Sequence, residues 1–184
     1  MILVVPIGNP GRGLVNRVAN FVGDYYSQFG LSVRVTESLP EELFSDAYNP
    51  GRRQYLGRAF LFPLSKMGDK LKARAVLGVT SLDLYERGLN FIFGLANPGL
   101  RAAIISTFRL RPEFYGEAPD RELLHERAIK EAMHELGHVF GLSHCPNRKC
   151  VMHFSNSIID TDVKGPLYCP ECRRKLEKNL EVFV

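Results

Sequence analysis

The first 144 residues of this 184-residue chain contain no cysteine, and no stretch of it approaches the roughly eighteen consecutive apolar residues of a membrane-crossing helix. The opening MILVVPIGNP has no basic leader and only a short apolar run before Pro6, so it lacks the form of a secretory signal. No repeat or low-complexity tract interrupts the chain. Neither sign of charge dominates: 24 Lys and Arg against 20 Asp and Glu leave a formal net charge of +4, mild for this length. Aromatic residues are not interleaved with the basic ones as they are in a single-strand binder. These absences point to a cytoplasmic protein with no membrane partner and no expected nucleic-acid partner, and with a monomer as the default state.

What is present suits one domain over residues 1–184. A hydrophobic content of 45% is enough for a real core. Residues 2–7 form a continuous apolar run suited to a buried strand, and Leu14, Val18, Phe21, Val22 and Tyr25 then recur at helical spacing within 14–29. Alternation predicts a second strand at 32–36. Residues 40–58 are polar and turn-rich, and read as irregular. Two further strands are expected at 73–84 and 90–96 and a fifth at 102–107, the last two as a hairpin turning at Asn97, Pro98 and Gly99. Asp120 is placed to cap the next helix, where Leu124, Ala128, Ala132 and Leu136 form an apolar stripe. Beyond Gly141 the chain reads as loop until a final helix at 172–182. The whole is an α/β (α+β) fold: a mixed twisted sheet of about five strands, an upper part near 1–141 and a smaller lower part near 142–184.

The chemistry concentrates in HELGHVFGLSHC, residues 134–145, which holds three of the five histidines. On a helix, His134 and His138 are four residues apart and project from one face, so both imidazoles reach one metal ion without backbone strain. Glu135 stands about a quarter-turn away, better placed to reach a metal-bound water than the metal itself. Gly141 offers the left-handed conformation that ends a helix, after which His144 can fold back as a third ligand. Three neutral imidazoles leave a zinc ion its charge and an open position for water, whose pKa falls toward roughly 7. Glu135 is then the general base. The bland alternative is a surface helix with solvated histidines.

All four cysteines lie in the last forty residues: Cys145 and Cys150 as C-x4-C, then Cys169 and Cys172 as C-x2-C. That is zinc-site spacing. Four thiolates would close the tetrahedron and leave no open position, so this second zinc is structural. The adjacency of His144 and Cys145 would make it a clamp beneath the active site. Two disulfides are the competing reading.

The same residues, with CVM at 150–152 and CPEC at 169–172, resemble the archaemetzincins, zinc peptidases of the metzincin clan. The resemblance extends to the N-terminal strand, the NFIFGLA stretch and FSNSIIDTD. It implies a catalytic zinc on His134, His138 and His144, Glu135 as catalytic base, and a structural zinc on Cys145, Cys150, Cys169 and Cys172. It also implies that Met152 is the methionine of the Met-turn, a soft apolar floor under the ligands.

The expected reaction is Glu-assisted attack of zinc-bound water on a peptide bond in small peptides, with aminopeptidase action among the family's activities. NFIFGLA is the strand expected to offer a free edge to substrate backbone, against the alternative of an interior strand. His153 and Tyr168 are weak candidates for an oxyanion donor. Asn156, Asp160 and Asp162 either orient ligands or serve as turn and capping residues. Two readings compete: a catalytically silent zinc protein that binds peptides, and a nucleic-acid-binding module using Arg148, Lys149, Arg173, Arg174 and Lys175 around the cysteines.

Overall fold

The computed structural model describes residues 1–181. Its central sheet has five strands in the order β2-β1-β5-β8-β7. Strands β1 (Ile2–Ile7), β2 (Val33–Val35), β5 (Ala75–Thr80) and β8 (Ala102–Ser106) run parallel, and β7 (Gly94–Asn97) lies antiparallel to β8 at the edge. A smaller sheet of three strands combines β3 (Tyr48–Asn49), β4 (Gln54–Leu56) and β6 (Leu84–Tyr85).

The period-two geometry of a strand explains the layering. In β1, Ile2 and Val4 point into a core shared with α1 (Arg12–Tyr26) and α3 (Arg121–Val139), while Leu3, Val5 and Ile7 point into a second core against α2 (Arg58–Lys70). All six residues of β5 are buried. With both faces covered, a parallel strand reads as a continuous apolar run, and this made β1 and β8 easy to recognise. The first core extends past α3 to Cys150, Met152 and Tyr168 and to Leu176 and Leu180 of α5 (Pro170–Glu181). The expected final helix is therefore α5, and position 182 lies outside the described residues.

Several boundaries moved. The strand expected at 73–84 is two strands: β5 ends at Thr80, whose hydroxyl accepts a hydrogen bond from Leu82 N, and the chain turns into β6 of the small sheet. The expected strand at 90–96 is shifted to Gly94–Asn97, although its hairpin with β8 is present as read. The helix read at 14–29 is α1 followed by a 3-10 turn, Ser27–Phe29. Residues 40–58 hold a 3-10 segment, Glu41–Ala47, and two short strands. Helix α2 had no counterpart in the expected elements, because Pro63 interrupts the spacing of Phe60, Leu61 and Leu64 and Gly68 leaves the next position of that face without a side chain.

Leu64 is fully buried in the core between α2 and the sheet. Leu64→Ala should cost about 2–5 kcal/mol in denaturant unfolding. Lys66→Ala on the exposed face of the same helix should stay within about 0.5 kcal/mol. Equal effects would mean that α2 does not cover the sheet.

Candidate metal centres and substrate cleft

Helix α3 begins where Asp120 accepts a hydrogen bond from Leu123 N at 3.0 Å, and Ala128, Ala132 and Leu136 are buried in the core shared with the sheet. It ends in a reversal. Gly141 adopts φ 84°, and Leu142 N donates to Gly137 O at 2.9 Å. The returning chain brings the His144 ring to 4.8 Å from that of His138 and 5.4 Å from that of His134. One ring nitrogen from each of the three lies within 4.8 Å of the others.

Hydrogen bonding fixes what those nitrogens offer. His134 Nδ1 sits 2.7 Å from Val151 O, and His138 Nδ1 sits 2.7 Å from Leu142 O. A carbonyl oxygen only accepts, so both Nδ1 atoms carry the hydrogen and both neutral rings present a lone pair at Nε2. These two Nε2 atoms are 3.1 Å apart. Facing lone pairs at that separation repel, and a cation bound by both removes the conflict, so the donor set fits zinc. Burial pushes the pKa of all three histidines down. Lys164 adds to the effect at His134, and His138 adds to it at His144.

The four cysteines are free thiols, and their sulfurs lie within 4.8 Å of one another. Cys145 Sγ and Cys169 Sγ are 3.8 Å apart. That matches the ~3.8 Å edge of a tetrahedron with zinc–sulfur bonds of about 2.3 Å. Cys150 Sγ also accepts a hydrogen bond from Cys169 N at 3.3 Å.

Short links join the two clusters. Cys145 N donates to Met152 O at 2.9 Å, and Tyr168 OH donates to Met133 O at 2.6 Å. Met152 is fully buried, and its sulfur packs against Gly137 of HELGH so closely that a Cβ there would collide with it. Glu135 presses against Gly94 of the edge strand, where a Cβ would lie 2.6 Å from its Oε1. Burial raises the Glu135 pKa well above the ordinary carboxylate range. Glu131 adds to the rise and Lys164 opposes it.

Between α3 and the hairpin edge runs a cleft of about 830 Å³, lined by residues 88–96, by His134, Glu135, His138 and His144, and by 154–156. His153 and Tyr168 are not in its wall. His153 Nδ1 donates to Cys145 O at 2.9 Å, and Tyr168 is buried on its bond to Met133. Asn156 does line the cleft. Asp160 instead closes a capping box with Ser157 at the start of α4 (Ile158–Val163), and Asp162 pairs with Arg127 at 2.7 Å. Two of the basic residues near the cysteines are paired with acids one helical turn away, Arg173 with Glu177 at 2.9 Å and Lys175 with Glu171 at 2.7 Å. Sequence reasoning missed Glu131, which lines the cleft, and Lys164, its buried partner. Glu131 was legible as the residue one helical turn before Glu135, whereas Lys164 carried no signal.

Metal-free protein should reveal the histidine burial through pH. A histidine depressed below 6.5 in the fold gives stability that is present at neutral pH and lost as pH falls through its folded value. Glu135, raised above 4.5, works in the opposite direction, taking up a proton in the fold before the unfolded chain does. The Tm of chelator-stripped Glu135→Gln protein should therefore fall more steeply between about pH 7 and pH 5 than that of stripped wild type. Equal slopes would contradict the burial of Glu135.

Known proteins place this geometry. The model of Peptidase family M54 matches residues 8–178. An archaemetzincin of Thermococcus kodakarensis is 59% identical over 184 residues, covering 100% of this chain and 99% of the relative. The crystal structure of archaemetzincin from Methanopyrus kandleri superposes with a TM-score of 0.79 at 42% identity, covering 98% of this chain and 96% of that one. A zinc-dependent peptidase from Methanocorpusculum labreanum superposes at 0.81 with 29% identity, covering 96% and 100%. The histidine and cysteine clusters thus stand in a fold shared over nearly the whole chain, and the chain belongs to peptidase family M54, the archaemetzincin family of zinc metallopeptidases.

Proposed function

We propose that this chain cleaves peptide bonds in small peptides, including bonds next to a free N-terminus. In this reading His134, His138 and His144 hold the catalytic zinc, and Cys145, Cys150, Cys169 and Cys172 hold the structural one. Glu135 is the general base. The chain acts as one domain, with its upper part ending near Gly141. The observation that carries the reading is the pair of facing Nε2 lone pairs at 3.1 Å, one on buried His134 and one on half-buried His138, in a cleft that also holds Glu135 and the edge strand β7.

When bound, the zinc supplies Lewis acidity and makes a water deprotonable near neutral pH. The protein's own groups do the rest. Substrate backbone adds to the free edge of β7, which fixes its direction whatever its side chains. Desolvated Glu135 takes the proton of the attacking water and passes it to the leaving amine, a role that suits a carboxyl group with a raised pKa. The carbonyls of Val151 and Leu142 hold two of the imidazoles in the ligating tautomer. Met152 fills the space beneath without competing for the ion. The free thiols support a reducing, cytoplasmic setting, and no helix among the described residues is long and apolar enough to cross a membrane.

Glu135→Gln keeps the ligands and removes the base. Zinc content should hold while kcat/KM on a fluorogenic peptide falls by about 100-fold or more. An unchanged rate would show that the measured activity belongs to something else.

A further inference from the structure

Tyr168 OH donates to Met133 O at 2.6 Å, and Met133 directly precedes His134 in α3. A phenol has one hydrogen, so the Tyr168 oxygen is left as an acceptor, and Tyr26 OH, 2.7 Å away, donates to it. Tyr26 is 0% exposed and Tyr168 6% exposed. Burial raises the pKa of both phenols, so both keep their hydrogens near neutral pH. The two hydroxyls thus form a one-way chain from α1 to the helix that carries the histidines. A helical carbonyl that receives the N–H four residues on has a second lone pair, and the phenol takes it. Gly137 makes room for the ring: a Cβ there would lie 3.0 Å from Tyr168 Cε1.

The bond to Met133 O closes a circuit. His134 Nδ1 donates to Val151 O at 2.7 Å, and Val151 N donates to Leu167 O at 3.0 Å. Leu167 is joined by its peptide bond to Tyr168, whose hydroxyl returns to the residue beside His134. Three hydrogen bonds therefore link residues 133–134, 151 and 167–168 into one ring. Opened at Tyr168, the same path would still tie the imidazole to a loop, but it would no longer return that loop to the helix. Bonded groups in a low-dielectric interior also reinforce one another. An imidazole whose Nε2 must face a second one at 3.1 Å depends on such fixing, since rotation of the ring moves that atom away.

We infer that Tyr168 is a positioning residue for His134, closing the ring of hydrogen bonds that aims its Nε2, and that Tyr26 is the donor that orients Tyr168. The inference rests on the reading of His134 as a zinc ligand.

The test is zinc retained per chain, by elemental analysis of full-length protein equilibrated at buffered free-zinc concentrations under reducing conditions. Wild type should load in two steps, and the step missing from the His134→Ala, His138→Ala variant belongs to the histidines. Tyr168→Phe keeps the ring and removes the closing bond. It should move the histidine step to about tenfold or more higher free zinc and leave the cysteine step where it is, although Tyr168 adjoins Cys169. Val18→Ala, in the same core on α1, should lower the Tm and move neither step. If Tyr168→Phe protein does not fold, Tyr26→Phe carries the test and should move the histidine step alone by about threefold. A histidine step that stays in place, or both steps moving together, would overturn the inference. A wild type that lacks the histidine step altogether would remove the metal-site reading, and this inference with it.

Discussion

Two neutral imidazoles with lone pairs meeting at 3.1 Å in the cleft wall repel each other, and much of the lower chain is organised to hold them there. Each ring is tied by its far nitrogen to a carbonyl, and neither carbonyl is on α3. Val151 lies between Cys150 and Met152, so the acceptor that orients His134 is set by the loop that also delivers a thiol to the cysteine cluster. Leu142 is placed by the reversal at Gly141. His144 arrives on the residue directly before Cys145. The cysteine cluster is thereby coupled to the histidine cluster through backbone, and it can support ligand geometry while taking no part in chemistry.

The upper half imposes a matching constraint from the other side. The sheet carries α3 on one face and α2 on the other, and it ends in β7 with one edge unpaired. Gly94 of that strand lets Glu135 approach the backbone directly, and Gly137 lets Met152 approach the helix. Glu135, the proposed general base, is thus packed between the strand proposed to hold substrate and the helix proposed to hold metal. Its raised pKa follows from that packing.

The sequence made some of this plain and hid the rest for identifiable reasons. The histidine spacing, the Asp120 cap and the Gly141 reversal are local rules of helix geometry, and all three appear where expected. The cysteine spacing likewise foretold four sulfurs that converge. Helix α2 was hidden by Pro63 and Gly68, and the lack of a Gly, Pro or Asn turn signal between Val79 and Leu84 concealed the turn after Thr80 that starts the second sheet. His153 and Tyr168 looked available because their acceptors, Cys145 O and Met133 O, are supplied by the tertiary fold. The Glu131–Lys164 pair is non-local in the same way. Thirty-three positions separate its members, so no periodicity could announce it.

Zinc per chain, measured by elemental analysis on protein purified under reducing conditions, tests the central claim most directly when wild type is set beside the His134→Ala, His138→Ala double variant. Two separate centres require two zincs in the wild type and one in the variant, with the cysteine cluster still occupied. A single zinc, unchanged by the histidine substitutions, would mean that the facing imidazoles hold no metal, and the proposed hydrolytic centre would fall with them.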